Sequence, residues 1–415
     1  MRAAPLVCLI TPGHLASAPR VIKEADALVG AGYRVHVVAG RHFAPVEPLD
    51  ATILATAKWS HTRVNFRGGS AVLVRKVLRR LARALVVHPS LATLRVAARA
   101  HHAEALRFAS AAARIPADFF LGHCLAGLPV AALAAAVRSV PCGFDAEDLH
   151  DAETEDAAGQ PADRAATHAL QSRLLSRCTH LTASAPLIGE ELHRRYAVQP
   201  ATVLNVFPLA HAPREPVDPG RIDTTAPARI YWFSQTIGPG RGLEAVVAVL
   251  GRMRVPVELQ LRGFATREYR EQLDAAAHRA GLARPIIFLP PGPPAEMARL
   301  AAASHLGLSI EESRPLNRDL CLTNKIFVYL LAGIPQLLTP TAAQRALAPE
   351  LGDAALVADL TAPESAAQRL DAFFADPGRV AAARREAWNL ARRRYCWDVE
   401  QQNFLNALRH AFRHD

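Results

Sequence analysis

Short apolar runs alternate with helix-like segments twice along this chain, and a proline-rich stretch at 208–227 separates the two series. In the first series the runs fall at 6–10, 33–39, 118–121, 142–144, 180–183 and 202–206. The helical segments between them include 19–29, with Val21, Ala25 and Leu28 on one face. In the second series they fall at 229–233, 257–261, 285–289, 305–310 and 335–338. Runs this short and apolar, spaced by helices, predict parallel strands buried on both faces. The stretch 208–227 has few large apolar residues and no periodicity, and reads as a linker. Two Rossmann-like doubly wound α/β domains follow, at 1–207 and 228–385, with a basic helical tail at 386–415 broken near Tyr395-Cys396-Trp397-Asp398.

At 415 residues, half of them apolar, the chain can fill two cores of ordinary size. No apolar run approaches the roughly 20 residues of a membrane-spanning helix. The N-terminus has a signal-like look, but its apolar core is short and runs straight into Pro12-Gly13-His14, which favours a first strand. The six cysteines form no C-x-x-C pair and mostly sit in apolar stretches, as reduced core cysteines of a cytoplasmic protein do, and no zinc site is expected. The net charge of +10 is local: no acidic residue lies between Asp50 and Glu104, a stretch holding Lys58, Arg63, Arg67, Arg75, Lys76, Arg79, Arg80, Arg83, Arg95 and Arg99. Such a segment, 58–99, implies an anionic surface or ligand.

The densest local signal lies at 321–335. Thr323 is placed to cap a helix, Ile326, Phe327, Leu330 and Leu331 recur at helical spacing, Gly333 supplies a C′ stop and Pro335 bars continuation. A helix start after a sheet strand offers unpaired N–H groups to a phosphate, and Asn324 and Lys325 stand there. An ordinary buried helix would read the same way. The segment resembles the donor-site helix of retaining GT-B glycosyltransferases, in particular glycosyltransferase family 4, whose members read roughly NK-[LI]-[FY]-E-Y-L-x-A-G-x-P. Val328 stands where that family carries the second glutamate of its E-x7-E motif, and Leu320 where it carries the first. Glu311, Glu312 and Asp319 are the nearby carboxylates able to substitute toward the donor ribose.

The resemblance runs the length of the chain. Thr11-Pro12-Gly13-His14 with Pro19-Arg20-Val21 and Lys23-Glu24-Ala25 is similar to the family's first loop and helix. Leu181 to Pro186 and Asn205-Val206-Phe207-Pro208 are similar to its domain exit, and Arg393 to Glu400 to a C-terminal helix that crosses back to the first domain. The stretch from Trp232 to Glu244, with Ser234 and Gln235, reads as a Gly-rich loop between strand and helix. In the family it resembles G-R-x-x-x-x-K-G, whose cations hold the diphosphate. Arg241-Gly242 matches the lysine–glycine pair, and Gln235 replaces the upstream arginine. Gly13 is a second candidate for close approach to phosphate or sugar, although a lone glycine often only makes a turn.

Histidines and carboxylates gather after two first-domain strands: His123 after 118–121, and Asp145, Glu147, Asp148 and His150 after 142–144. Carboxyl ends of strands are where open α/β sheets place their sites. His123 resembles the family's active-site histidine, beside the transferred sugar, and 144–148 its acidic acceptor-side loop, where a base would take the proton of an acceptor hydroxyl. A polar core histidine and a solvated acidic loop, continued by Asp151, Glu153, Glu155 and Asp156, are the plainer alternatives. The two-domain order argues against reading Asp145-Ala146-Glu147 as a metal-binding D-x-D, so no metal or other cofactor is expected.

At about 100° per residue, Arg75, Lys76, Arg79, Arg80 and Arg83 share an arc of roughly 140°, with Val74, Val77, Leu78, Leu81 and Leu85 opposite. Helices of this kind lie on anionic membranes or bind acidic partners, or else simply pack on their own domain. Nucleic acid is disfavoured, because no aromatic residues interleave with the charges. The resemblance thus implies a cytoplasmic, metal-independent, retaining GT-B glycosyltransferase (hexosyltransferase-like). Its donor would be a nucleotide-sugar and its acceptor a saccharide or lipid-linked molecule, as in bacterial surface polysaccharide or glycolipid synthesis, with possible peripheral contact at the membrane's inner face. A GT-B sugar-nucleotide epimerase and a non-catalytic GT-B homologue are the rivals.

Overall fold

A computed structural model describes residues 4–66, 71–154, 160–223 and 225–412. The chain divides into two units, Met1–Leu204 with Gln401–Asp415, and Asn205–Glu400.

The first unit is a seven-stranded sheet in the order β3-β2-β1-β4-β5-β6-β7, every pair parallel. Its strands are β1 (Leu6–Thr11), β2 (Arg34–Arg41), β3 (Ser60–Asn65), β4 (Phe119–His123), β5 (Cys142–Ala146), β6 (His180–Ala183) and β7 (Ala201–Thr202). The helices are α1 (Pro19–Gly30), α2 (Glu47–Thr56), α3 (Ala71–Val86), α4 (Leu94–His101), α5 (Ala105–Ala113), α6 (Cys124–Arg138), α7 (Pro161–Leu174) and α8 (Pro186–Tyr196). β1, β4 and β5 are buried at every residue. That is why they read as short apolar runs rather than alternating ones, apart from the buried His123 and Asp145 at their carboxyl ends. The edge strand β3 does not read that way: in Ser-His-Thr-Arg-Val-Asn only the valine is buried, and no apolar run announces it. Gly122 of β4 and Gly127 of α6 lie so close that a Cβ on Gly122 would sit 2.5 Å from the Gly127 carbonyl oxygen. This contact fixes the start of α6 against the end of β4.

The second unit holds six parallel strands in the order β10-β9-β8-β11-β12-β13. They are β8 (Ala228–Ile237), β9 (Val257–Ala265), β10 (Ile287–Leu289), β11 (Leu306–Ser309), β12 (Gln336–Leu338) and β13 (Ala355–Val357). The helices are α9 (Leu243–Leu250), α10 (Arg267–Ala280), α11 (Met297–Ala301), α12 (Leu316–Leu320), α13 (Asn324–Ala332), α14 (Ala342–Leu351), α15 (Pro363–Phe374), α16 (Pro377–Arg393) and α17 (Trp397–Ala411). The stretch 208–227 carries no α-helix or strand among its described residues. Part of it is tied down within this unit, where Arg299 donates to the carbonyls of Ala210 and Ala212. From Gln401 onward α17 belongs to the first unit, where Phe404 meets His180 edge-on at 5.8 Å.

Both sheets are doubly wound. Strand order reverses between β1 and β4 in one and between β8 and β11 in the other, and the carboxyl ends of those pairs are where such sheets bind ligands.

Candidate active site

In the second unit, the end of β8 and the end of β11 face the start of α13. β8 runs on to Ile237, with a register shift against β9 between Phe233 and Thr236. Ser234 and Gln235, expected in a loop, therefore lie in the strand at a bulge. Gly240 and Gly242 take positive φ values of 69° and 71°, turning the chain into α9 and leaving Arg241 exposed between them. Across the reversal, Glu311 follows β11. Its N–H donates to Thr339 Oγ1 (2.8 Å), and that hydroxyl donates back to the Glu311 carbonyl (2.7 Å).

Lys325 is the buried cation of this cluster. Its Nζ lies 3.7 Å from Glu311 Oε1 and 5.5 Å from the centre of the Trp232 ring. Burial lowers its pKa, Glu311 raises it and the nearby Arg241 lowers it again. Lys325 thus has one carboxylate and a second cation for neighbours, in a place with capacity for further negative charge. The start of α13 is also open. Thr323 occupies the N-cap position but makes no capping bond, contrary to expectation, and its Oγ1 is buried with no partner. Asn324 is exposed, and no acidic residue sits in the first turn. Gly333, at φ 68°, ends the helix as its C′ residue.

The three substitute carboxylates separate here. Asp319 accepts from the N–H of Ala342 at 2.9 Å and is committed to the start of α14, so it is removed from the candidates. Glu312 is half exposed, 3.4 Å from Arg318, whose guanidinium also donates to the Gly240 carbonyl. Glu311 alone is close to Lys325. Val328 is 2 % exposed on a helix buried from Lys325 to Ala332, so its side chain belongs to the core.

In the first unit, the corresponding crevice is closed over by its own charges. His123 ends β4 and is 0 % exposed in this structure. Its Nε2 is 3.2 Å from Glu24, and its Nδ1 is 3.4 Å from Asp145 and 3.6 Å from Glu147. These are ion-pair distances without hydrogen-bond alignment. Burial pushes the imidazole pKa down, but Glu24 and the other two carboxylates prevail and hold it well above the ordinary value. Asp145, expected in an acceptor-side loop, lies instead within β5 and is fully buried. Arg20 grips both its oxygens, and Thr182 donates to Oδ1 at 2.6 Å. Burial works to raise the Asp145 pKa, but Arg20 and His123 hold it far below the carboxylate range. Burial and Asp145 push the Glu24 pKa up, against His123 and Arg20. Burial lowers Lys23 to about 7. Glu24, His123 and Asp145 are close enough to share a cation. Arg20 already binds both oxygens of this aspartate, and each further member is paired within the network.

Beside this network a cavity of about 1200 Å³ is lined by Lys76, Arg79, Arg80, Cys124, Asp148 and His150, among others. His150 Nδ1 pairs with Glu153 at 2.5 Å, and that carboxylate raises the ring's pKa against burial. Its Nε2 is buried without a partner. Cys124 begins α6 at a positive φ of 55°, and its Sγ is 3.6 Å from Glu147. Asp151 is taken by Tyr196 and Arg195, while Glu155 and Asp156 lie outside the described residues. Gly13 sits in the loop after β1, its carbonyl accepting from Gly40 N–H at 2.9 Å. A Cβ there would meet nothing within 4 Å.

Helix α3 is turned the opposite way to the expectation for a surface-binding basic face. Arg75 binds Glu104, Arg79 donates to the carbonyls of Ala100 (3.2 Å) and His101 (3.4 Å), and Arg83 binds Asp163 and Gln160. Three of the five cations therefore fasten the helix to its own unit. Lys76 and Arg80 stay exposed, and Arg67 lies outside the described residues.

Sequence reasoning gave no role to Arg20 and Glu24, although both were within a matched segment. Their signal was present: charged residues four apart on a helix whose other faces are apolar. Trp232 and Thr339 carried none.

No family model and no curated protein matches the sequence. Solved structures do match along nearly the whole chain. The Anabaena protein HepE, crystallised with UDP-glucose, is 14% identical at a TM-score of 0.69, over 98% of this chain and 99% of that one. Sucrose-phosphate synthase from Thermosynechococcus elongatus is 12% identical at 0.67, over 99% and 100%. The lipopolysaccharide outer core galactosyltransferase WaaB is 11% identical at 0.62, over 97% and 99%. A UDP-N-acetylglucosamine 2-epimerase structure from Listeria monocytogenes matches less well, at 0.55. The fold is that of the GT-B glycosyltransferases.

Proposed function

We propose that this chain is a glycosyltransferase using a nucleotide-sugar donor, with the donor diphosphate at the second-unit crevice. The observation that carries the reading is two cations, Lys325 beside Glu311 and Arg241 near enough to act on Lys325, next to the uncapped start of α13. A departing nucleoside diphosphate needs cations and helix N–H groups aimed at the charge it develops. In this reading Arg241 binds the phosphates, where a guanidinium can meet two oxygens at once. Lys325 and the N–H groups of Asn324 and Lys325 complete the cradle, with Ser234 and Gln235 along its edge. Glu311 accepts from ribose hydroxyls in place of the family's missing glutamate. The reaction is metal-independent and retaining, as in family 4.

The acceptor side is assigned to the first-unit cavity, with Glu147, Asp148 and His150 as its proton-handling groups. His123 and Asp145 act from behind as positioning residues. The acceptor is a saccharide or lipid-linked molecule of surface polysaccharide or glycolipid synthesis, met at the inner face of an anionic membrane. The glycosyltransferase structures match at higher TM-scores than the epimerase, which supports the transferase reading.

Thermal denaturation with UDP and UDP-glucose tests the donor site. UDP is expected to raise Tm in the wild type and to lose this effect in Lys325→Ala. Release of UDP from UDP-glucose then separates enzyme from non-catalytic binder. Nucleotide binding without release, with any of a panel of acceptors, would favour the non-catalytic homologue, which Val328 and Gln235 also favour.

A further inference from the structure

We propose that α3 docks the protein on an anionic lipid bilayer through an exposed apolar stripe, with Lys76 and Arg80 in the headgroup layer. The inference rests on the membrane contact proposed above and names its surface, which is the face of α3 opposite the arginines first expected to make it.

Leu73, Val74, Val77, Leu81 and Leu85 are exposed at 70, 58, 47, 56 and 40%. Residues 74, 77, 81 and 85 follow one another at helical spacing and form a continuous stripe. Val87 and Leu91, just past the end of the helix, are exposed as well. A surface helix ordinarily buries its apolar face and gives its charges to water. α3 does the reverse, because Arg75, Arg79 and Arg83 are spaced four apart and each finds a partner on its own unit. A contiguous apolar patch left in this way marks an interaction surface.

Charge decides what covers it. Exposed Lys76 and Arg80 flank the stripe, and no acidic residue occurs between Asp50 and Glu104 to repel an anionic surface. A second copy of this chain would bring its own Lys76 and Arg80 against the first pair. An apolar stripe with a cationic border suits the boundary between headgroups and acyl chains of anionic lipid. Lys76 and Arg80 also line the first-unit cavity, so docking there would set that cavity beside the lipid surface.

Vesicle co-sedimentation at low salt is the test. Vesicles would contain phosphatidylglycerol and phosphatidylcholine in equal parts, or phosphatidylcholine alone. Wild-type protein is expected to bind the anionic vesicles at least tenfold more tightly than the neutral ones, and to be released by high salt. The double variant Val77→Asp with Leu81→Asp should lose binding at least tenfold. Both residues are exposed, so the variant should fold, which its UDP-induced Tm shift and circular dichroism would confirm. Val137→Asp, equally exposed on α6, serves as the control and should bind like wild type. Wild-type protein that ignores the anionic vesicles overturns both the membrane contact and this surface. Binding that survives the double variant overturns the surface alone. A wild-type dimer that the double variant makes monomeric assigns the stripe to a second copy and also overturns the proposal. UDP-glucose turnover without vesicles is independent of all three results.

Discussion

The two units share one topology and use charge in opposite ways at the same place in it. At the β1/β4 reversal, Arg20 and His123 meet Glu24 and Asp145 inside the protein, all four buried, with the half-buried Glu147 beside His123. At the β8/β11 reversal, Lys325 pairs with Glu311, Arg241 stands near Lys325 with its side chain exposed, and the facing helix start is uncapped. The first crevice pairs its charges with one another, whereas Arg241 of the second stays exposed, which the proposed function assigns to the donor diphosphate. A charged residue at the carboxyl end of a strand is therefore not by itself a site residue; its partners decide.

The comparison breaks most readily at Arg20. Arg20→Met leaves Asp145 buried beside Glu24 with no guanidinium, and removing one partner of a buried pair costs about 3–5 kcal/mol. The first unit should unfold at markedly lower denaturant than in the wild type, with the second little affected, as followed by one probe in each unit. A single unshifted transition would show that the network contributes nothing.

Arg241 is the opposite case, exposed and without a resolved partner in the fold. Arg241→Ala should leave the denaturation midpoint unchanged and lower turnover by about 10²–10³ fold, since the diphosphate charge develops in the transition state. Unchanged kcat in UDP-glucose turnover would remove Arg241 from the crevice.

How much of this was legible follows from where the information lies. The buried strands and α13 were readable because total burial leaves short apolar runs and because Gly333 and Pro335 punctuate locally. β3 was not, since an edge strand needs no apolar residues, and β8 was read four residues short because Ser234, Gln235 and Thr236 are polar residues of a bulged strand. The candidate site was legible at Lys325 and Arg241, which keep their places in a local motif. It was not legible at Asp145, because no sequence pattern reveals that Arg20, 125 positions away, would grip it. Helix α3 shows the same limit. Its amphipathic spacing was plain, but the direction it faces depends on Glu104 and Asp163 in other elements.

Glu311 sharpens the comparison within the second unit. Glu311→Ala should weaken UDP-glucose binding about tenfold, near 1.4 kcal/mol, by isothermal titration. Glu312→Ala should change it little. Asp319→Ala should leave binding alone and lower stability by about 1 kcal/mol, as loss of an acceptor at a helix start does. Equal losses of affinity from Glu311→Ala and Glu312→Ala would put the ribose contact elsewhere.

The smallest effect is a pH dependence that separates the self-neutralised crevice from the open one. His123 has a folded pKa well above its unfolded value of about 6.5, because Glu24, Asp145 and Glu147 surround it. Its contribution to stability is then fully present below about pH 6.5 and is lost as pH rises through the folded value. Lys23 works the other way. Burial lowers it to about 7, so its burden is carried in full below pH 7 and relieved as pH rises toward its unfolded value. The two tendencies oppose each other in the wild-type curve, and the difference between wild type and His123→Gln isolates the histidine. That difference should be constant below about pH 6 and then shrink with rising pH, by no more than about 1.4 kcal/mol per pH unit for a single proton. Urea unfolding of the first unit from pH 5 to 9 reads it. A difference that grows with pH would mean that His123 is buried neutral, and that the carboxylates around it, not the imidazole, carry the protons.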